Sequence, residues 1–189
     1  MSACIVKSAA KGAELYAAGA SAEKLIKLCA GAVMLYDLDA DGRRRVIDFV
    51  APGDLLHFEL NGVLDHYAEA LTAVEYVEID VEDALSDRDL SAFLFEQMQE
   101  RLRRERAHAL LLGRNSAAER LAEFLILVSD RLTGPMGELE LPMTRQQIAD
   151  YTGLTIETVS RLFSRWKRER AVEQTGKRTY RIDTAALAA

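Results

Sequence analysis

The chain has 189 residues and a formal net charge of −6, and 49% of its residues are hydrophobic. This apolar content excludes a wholly disordered chain, because disordered proteins have too few apolar side chains to build a core. No apolar run approaches the ~18–20 residues that cross a bilayer, which excludes a transmembrane helix. The stretch from Met1 to Tyr16 lacks a signal-peptide pattern, and two cysteines are too few for a disulfide scaffold. We therefore expect a cytoplasmic protein.

The charge is distributed unevenly along the chain. The segment from Pro142 to Arg181 contains nine Lys or Arg residues and four Asp or Glu residues. The remainder of the chain has a net charge of −11. A local excess of positive charge is typical of a segment that binds nucleic acid or another polyanion. Between Val46 and Asp87 the chain has eleven acidic residues and no Lys or Arg. This middle segment therefore has no cation of its own to offer an anion.

Residues 1–87 have the pattern of short strands and tight turns. Runs rich in β-branched and aromatic residues predict strands at 32–36 and 45–50, and the Asp-Gly pair between them predicts a hairpin. A turn at 51–54 is followed by one or two strands within 70–79. Short strands at such close spacing indicate an antiparallel barrel or roll.

Residues 88–113 form the second predicted segment, a long helix. Apolar residues with one polar interruption recur there at alternating spacings of three and four, namely Phe95, Met98, Leu102, Glu105, Ala109 and Leu112. This heptad seam predicts a dimer interface between two copies of the helix. The alternative is a helix that packs on its own domain. The opposite surface is expected to carry Arg101, Arg103, Arg104 and Arg106.

The third predicted segment comprises residues 114–189. Ser116 and Glu119 form a capping-box pattern that begins a helix ending near Leu132, and 133–137 is the expected linker. A second capping box, Thr144 with Gln147, begins a short helix, and Gly153 occupies the turn that follows. The next helix has a predicted buried stripe of Ile156, Val159, Leu162, Phe163 and Trp166.

This arrangement predicts a helix-turn-helix followed by a wing, a hairpin at 171–183 with a basic tip at 175–178. Arg161 can donate two hydrogen bonds to guanine, and Glu157 can accept one from the amino group of cytosine. Ser160 and Thr158 can contact bases or phosphate. DNA-backbone contacts are predicted for a group of polar and basic residues: Thr144, Arg145, Thr155, Thr158, Ser164, Arg165, Lys177 and Arg178. The alternative, an amphipathic helix pair with a solvated basic face, leaves the ordered caps, turn and wing unexplained.

The stretches 144–151 and 154–161, together with the hairpin at 41–44 and the turn at 52–55, resemble the family of the cyclic-AMP receptor protein and FNR, in its FixK branch. The resemblance implies an α+β fold, with a β-roll of the cyclic-nucleotide-binding type, a dimerisation helix and a winged helix-turn-helix. It also implies that Glu157, Ser160 and Arg161 read the bases of a TTGAT half-site. A homodimer would then bind double-stranded DNA at a TTGAT-N4-ATCAA palindrome and contact RNA polymerase.

The sequence departs from this family at both of its usual cofactor sites. Members that bind cyclic nucleotides hold the phosphate with an Arg-Ser or Arg-Thr pair in the roll, but residues 46–87 contain no Arg. A buried phosphate without a cation is costly, and we do not expect the dimer helix to supply one. Two cysteines cannot provide the four thiolates of an iron–sulfur cluster. We therefore predict no cofactor, and since the chain begins inside the roll, we expect part of the sensory edge to be missing.

An alternative is a regulator whose roll senses haem, a metal or a small ligand. The candidate ligands are His57, Glu59, Asp65, His66 and Glu69, but they lack a tight metal-binding spacing. We expect them to be solvated surface residues, and we predict no metal site. Cys29 is expected to be a buried, inert thiol in a strand. His108, on the dimer helix, is expected to pack or to lie at the surface.

Two further expectations concern partners and chemistry. The final residues, Ala186 to Ala189, resemble the tag by which ClpXP-type proteases recognise substrates, so we hypothesise that proteolysis controls abundance. The chain contains no nucleophile motif, P-loop, dinucleotide fingerprint or zinc-ligand spacing. An enzyme is therefore not expected.

Overall fold

The computed structural model describes residues 5–132 and 137–187. The chain divides into two compact units, residues 1–105 and 106–189, and each is described by itself. No helix in the described residues is long and apolar enough to cross a bilayer. The boundary between the units falls inside the predicted dimer helix, rather than at either of its ends.

The first unit is built on two antiparallel sheets. Its strands are β1 (Val6–Ala9), β2 (Glu14–Tyr16), β3 (Lys24–Ala30), β4 (Val33–Leu38), β5 (Arg44–Val50), β6 (Tyr67–Ala70) and β7 (Val74–Asp80). One sheet has the order β1-β7-β3 and the other has the order β2-β6-β4-β5. The predicted strands at 32–36 and 45–50 correspond to β4 and β5, and the 70–79 stretch covers β7 except for its last residue, Asp80. A short helix, α1 (Val81–Ser86), follows.

Side chains from both sheets form the core of this unit. Leu28 of β3, Leu35 of β4 and Val50 of β5 are buried together with Leu56. The hairpin between β4 and β5 is closed by Asp39, whose Oδ1 accepts hydrogen bonds from the backbone N–H groups of Asp41 and Arg43. The predicted roll and its Asp-Gly hairpin are therefore confirmed.

The long helix α2 (Arg88–Leu112) carries two neighbouring heptad seams. One seam is buried or half-buried and consists of Leu94, Gln97, Arg101, Arg104, His108 and Leu111. The other is the predicted dimer seam, and all six of its residues are exposed. Its first residue, Phe95, is 62% exposed. The two interpretations of the sequence are therefore compatible, because the helix packs on its own chain and still leaves an apolar seam uncovered.

Two arginines expected on the surface of α2 instead enter the interior of the roll. Arg101 is 7% exposed, and its Nη1 lies 3.2 Å from Oδ2 of the buried Asp48. Arg104 Nε lies 3.0 Å from the same oxygen, and Arg104 Nη1 lies 3.6 Å from Asp54 Oδ1. Asp48 faces inward from β5, and a buried carboxylate requires a cationic partner. Helix α2 therefore brings cations into the roll, but they pair with this carboxylate, and the expectation that it supplies none for a phosphate stays a prediction.

Two other expectations about burial in the roll are also wrong. His57 and His66 are 1% and 8% exposed, so they are not surface residues. Cys29 is a free, exposed cysteine, although it does lie in strand β3 as expected. Successive side chains of a strand point to opposite faces, and the preceding Leu28 takes the inward position.

The second unit contains three longer helices and a small sheet within the described residues. These elements are α3 (Ala117–Leu132), β8 (Leu139–Glu140), α4 (Arg145–Thr152), α5 (Ile156–Arg168), β9 (Val172–Gln174), β10 (Thr179–Ile182) and the short α6 (Thr184–Leu187). Ser116 Oγ accepts a hydrogen bond from the backbone N–H of Glu119 and so caps α3 as predicted. The sheet has the order β8-β10-β9. Most of the expected linker, 133–136, lies outside the described residues.

Candidate nucleic-acid interface

The two helices of the predicted DNA-binding motif are held by local backbone chemistry. Thr144 Oγ1 accepts a hydrogen bond from the backbone N–H of Gln147, and Gln147 Oε1 accepts one from the N–H of Thr144. Gly153 ends α4 with a φ of 64°, a left-handed conformation that glycine adopts without strain. Thr155 then caps α5 through the backbone N–H of Thr158. The predicted capping box, glycine turn and second cap are all confirmed.

Helix α5 has one apolar face and one polar face. Val159, Leu162, Phe163 and Trp166 are buried, as the sequence predicts. Ile156 is 38% exposed, so its assignment to the buried stripe is wrong. Ile156 is the first residue of the helix and borders the turn, so its side chain stays partly accessible to solvent.

The three predicted base-reading residues share the polar face of α5. Glu157, Ser160 and Arg161 are all exposed, and their spacings of three and four residues place them on one side of the helix. Within the residues that the structure describes, neither Glu157 nor Arg161 has an ion-pair partner. Both charged groups are therefore available to an external partner.

The predicted backbone-contacting residues fall into two groups. Thr144, Thr155, Ser164, Arg165 and Lys177 are exposed, whereas Arg145, Thr158 and Arg178 are half-buried. Ser164 Oγ donates to the carbonyl of Ser160, and Arg165 Nε lies 3.7 Å from Glu169 Oε1. The phosphate contacts of both groups stay predictions.

Arg145 and Arg178 have an intramolecular role that the sequence did not predict. The guanidinium carbon of Arg145 lies 3.3 Å from the ring centroid of Phe163, and its Nη2 donates to Tyr180 Oη. Burial lowers the pKa of Arg145, and the contact with Tyr180 opposes this effect. Arg178 Nη1 donates to the carbonyl of Pro142 at 2.8 Å. These arginines join α4, α5 and the wing.

The wing is braced by Gln174, which sequence reasoning missed. Its Nε2 donates to the carbonyls of Gly176 and Lys177, while its Oε1 accepts from Lys167 Nζ. This bracing fixes the turn between β9 and β10 and leaves the Lys177 side chain exposed. In the sequence, the only local indication of this role was a glutamine directly before the Thr-Gly turn.

His108 packs within the second unit, as expected. Its ring stacks on Tyr151 with centroids 3.9 Å apart, and its Nε2 lies 2.8 Å from the Tyr151 carbonyl oxygen. A carbonyl can only accept, so the ring nitrogen donates. Arg120 was not predicted to matter, yet its Nη1 donates to the carbonyl of Gly153 at 3.2 Å and so supports the turn.

Replacing Thr144 by alanine is expected to destabilise the second unit by ~0.5–2 kcal/mol, because an N-cap hydrogen bond is lost. The measurement is the denaturation midpoint followed by the fluorescence of Trp166, the single tryptophan of the chain. Thr175→Ala at the exposed wing tip is the matched control and should change stability by less than ~0.5 kcal/mol. Equal effects of the two substitutions would contradict the capping role.

A capped helix pair, a recognition helix with an exposed polar face and a basic wing together define a DNA-binding module of the winged helix-turn-helix class. Residues 119–189 match the family model described as a Crp-like helix-turn-helix domain, and residues 6–86 match the model described as a cyclic nucleotide-binding domain.

The chain is also similar to known regulators along most of its length. The nitrogen fixation regulation protein FixK of Rhizobium meliloti (strain 1021) is 37% identical over 182 residues, which cover 90% of this chain and 79% of the relative. FixK of Bradyrhizobium diazoefficiens is 40% identical over 149 residues, covering 75% of this chain and 63% of the relative. The solved structure of FixK2 from Bradyrhizobium japonicum is 33% identical and covers 98% of this chain and 96% of that one, with a TM-score of 0.88.

The chain therefore belongs to the CRP/FNR family of transcription regulators, in its FixK-like branch. Its relatives are regulators of transcription and not enzymes, which confirms the expectation from the sequence.

Proposed function

We propose that the chain is a cytoplasmic, homodimeric regulator that binds a TTGAT-N4-ATCAA palindrome without cyclic AMP or an iron–sulfur cluster, and acts through RNA polymerase. The observation that carries the proposal is the pair of exposed, oppositely charged side chains, Glu157 and Arg161, one turn apart on a braced recognition helix. A TTGAT half-site contains a single G·C pair. Arg161 can donate to the guanine of that pair, Glu157 can accept from its cytosine, and Ser160 lies between them.

The exposed seam of α2 supports the homodimer. Phe95, Met98 and Leu102 are between 47% and 62% exposed, although they are large apolar residues at heptad spacing. Burying such side chains against a second copy removes apolar surface from water. Dimerisation would also place two recognition helices on the two halves of a palindrome.

Replacing Leu102 by arginine is expected to convert the dimer into a monomer, because two buried like charges would face each other at the seam. Light scattering after size-exclusion chromatography would then give the monomer mass of 21.0 kDa. Affinity for the palindrome should fall by about 100-fold or more, since the two half-sites no longer bind as one unit. Glu96→Arg, exposed and at a heptad position that does not flank the seam, is the control. A Leu102→Arg protein that remained dimeric would contradict the assignment of this seam.

The buried ion pairs of the roll support binding without a cyclic nucleotide. Arg101 and Arg104 are the cations that α2 brings into the roll, and both pair with Asp48. An incoming phosphate would have to displace that carboxylate and leave it buried without its partners. The cost of an uncompensated buried charge disfavours the exchange.

The test is fluorescence anisotropy of the ligand-free protein with a TTGAT-N4-ATCAA duplex and a scrambled duplex at one stated salt concentration. A specific regulator is expected to bind the palindrome at least ~10³-fold more tightly than the scrambled duplex. If the protein bound both duplexes with equal affinity, either the proposed half-site sequence or the proposed binding without an effector would be wrong. Repeating the titration with cyclic AMP tests the effector directly, because recovered selectivity would show that the half-site is right and that a cyclic nucleotide is required.

We also propose that a ClpXP-type protease recognises the C-terminus and so controls the abundance of the protein. Leu187 is buried, so this residue must leave its packing before a protease engages it, and Ala188 and Ala189 lie outside the described residues. Replacing the two terminal alanines by aspartate should lengthen the half-life in cells. An unchanged half-life would remove this part of the proposal.

A further inference from the structure

A cluster of histidines and carboxylates lies in the first unit, where the segment between β5 and β6 packs against β2 and β3. Ligand atoms of Glu59, Asp65 and His66 all lie within 4.8 Å of one another. His66 Nδ1 is 2.6 Å from Asp65 Oδ1, and its ring is largely buried. The cluster therefore combines an imidazole with two carboxylates at a short mutual distance, which is the donor set of many transition-metal sites.

His57 provides an independent observation at the same place. It is 1% exposed, and its Nδ1 makes no hydrogen bond. That atom lies 3.3 Å from Glu59 Oε2. A buried imidazole nitrogen that makes no hydrogen bond is costly, and a cation bound between this nitrogen and the carboxylate oxygen would satisfy both atoms.

We propose that His57 Nδ1, Glu59, Asp65 and His66 Nδ1 bind one divalent transition-metal ion of the zinc type. Two nitrogen and two oxygen donors suit zinc or a neighbouring first-row ion better than calcium or magnesium, which prefer oxygen ligands alone. Atoms bound to one ion at ~2.0–2.2 Å lie at most ~4.4 Å apart. The ligand atoms of Glu59, Asp65 and His66, all within 4.8 Å of one another, are close to this limit. His57 would join them on the side of Glu59, whose Oε2 lies 3.3 Å from His57 Nδ1.

Tyr16 acts on the proposed site through His66 and is a positioning residue. Its hydroxyl lies 2.6 Å from His66 Nε2 and 3.2 Å from the carbonyl oxygen of Leu56. When Nδ1 binds the metal, the proton of the neutral ring resides on Nε2 and is donated to Tyr16 Oη, whose own proton is then donated to Leu56. Such outer hydrogen bonds fix the tautomer and orientation of a metal-binding histidine.

The same carbonyl joins the cluster to the dimer helix. Leu56 O also accepts a hydrogen bond from Arg101 Nη2 at 3.0 Å. Metal binding that shifts Tyr16 or Leu56 would therefore act on the buried ion pairs that hold α2 against the roll. Metal occupancy itself is measured without DNA, so this inference stands or fails independently of the proposed function.

The experiment is a titration of the full-length, chelator-treated protein with Co²⁺, a visible-absorbing substitute for Zn²⁺. Both cysteines are replaced by serine so that thiolates cannot bind the ion. We expect saturation at one Co²⁺ per chain, with absorption bands of nitrogen and oxygen coordination that Zn²⁺ abolishes by competition. Tyr16→Phe should weaken binding by about 10-fold and shift the bands, because the His66 ring loses its outer partner.

Conservative variants identify the ligands. Asp65→Asn and Glu59→Gln should each weaken binding by at least about 10-fold, whereas Glu75→Gln, an exposed carboxylate on β7, should leave it unchanged. The Asp65 side chain is 79% exposed, so this variant should keep its fold, which the melting temperature of the metal-free protein verifies. The proposal is overturned if binding does not saturate, or if Asp65→Asn and Glu59→Gln bind Co²⁺ as tightly as Glu75→Gln.

Discussion

Replacing Asp48 by alanine is expected to destabilise the first unit by about 3–5 kcal/mol, because the substitution leaves two buried guanidinium groups without their shared counter-ion. The side chains of Asp48, Arg101 and Arg104 are 7%, 8% and 11% exposed, so water screens their interaction little. Asp48 Oδ1 also accepts the backbone N–H of Phe49 at 2.8 Å. Arg101 would keep its hydrogen bond to the Leu56 carbonyl and its contact with the Phe58 ring, and Arg104 its longer contact with Asp54.

The measurement is urea denaturation followed by two signals, since a chain with two compact units need not unfold in one step. Far-ultraviolet circular dichroism reports both units, whereas Trp166 lies in the second unit. We expect the substitution to lower the dichroism midpoint more than the fluorescence midpoint. Asp41→Ala is the matched control, because Asp41 and Arg43 form a 4.0 Å pair in which both side chains are more than 70% exposed. Exposed pairs contribute little, so similar shifts for both variants would show that the buried pairs do not hold this unit together.

The parts of the fold that the sequence predicted correctly depend on residues close together in the chain. The hairpin closed by Asp39 needs only the four residues that follow it. The cap at Thr144 needs Gln147 three residues later, and the turn between α4 and α5 needs the left-handed Gly153. Local hydrogen bonds of this kind are encoded in short motifs, so the DNA-binding helices and their polar face were predictable.

The parts that the sequence did not predict depend on contacts between distant residues. Arg101 pairs with Asp48 over 53 positions, and Tyr16 meets His66 over 50. The apolar periodicity of α2 marks the exposed seam, whereas the buried seam has only two apolar residues, Leu94 and Leu111, and could not be found from it. One signal was present: Asp48 alternates with Val46 and Val50, which are buried, so it occupies an inward position of β5. An inward carboxylate in a segment without cations requires one from elsewhere in the chain.

Replacing Arg161 by alanine is expected to remove about 1–3 kcal/mol of discrimination at the guanine of the half-site, or roughly 5- to 150-fold in relative affinity. The guanidinium group is exposed on α5, and among the described residues it has no ion-pair or hydrogen-bond partner that the substitution would remove. The measurement compares two duplexes, the palindrome and a version in which each G·C pair is replaced by A·T. Wild-type protein should prefer the first strongly. The Arg161→Ala protein should lose this factor at each half-site and keep only the smaller preference that Glu157 contributes through the cytosine.

Lys177→Ala is the matched control, because it removes a positive charge from the wing while leaving the recognition helix intact. Gln174 holds the backbone of the wing tip through Gly176 and the Lys177 carbonyl, so truncating the lysine side chain should not disturb the turn. A lysine that contacts only phosphate contributes equally to every sequence. The variant should bind both duplexes more weakly by the same factor, and the slope of log affinity against log salt should fall by about 2, since the homodimer loses one phosphate contact per protomer. If Arg161→Ala behaved in this uniform way instead, Arg161 would contact the backbone and the base would be read by another residue of α5.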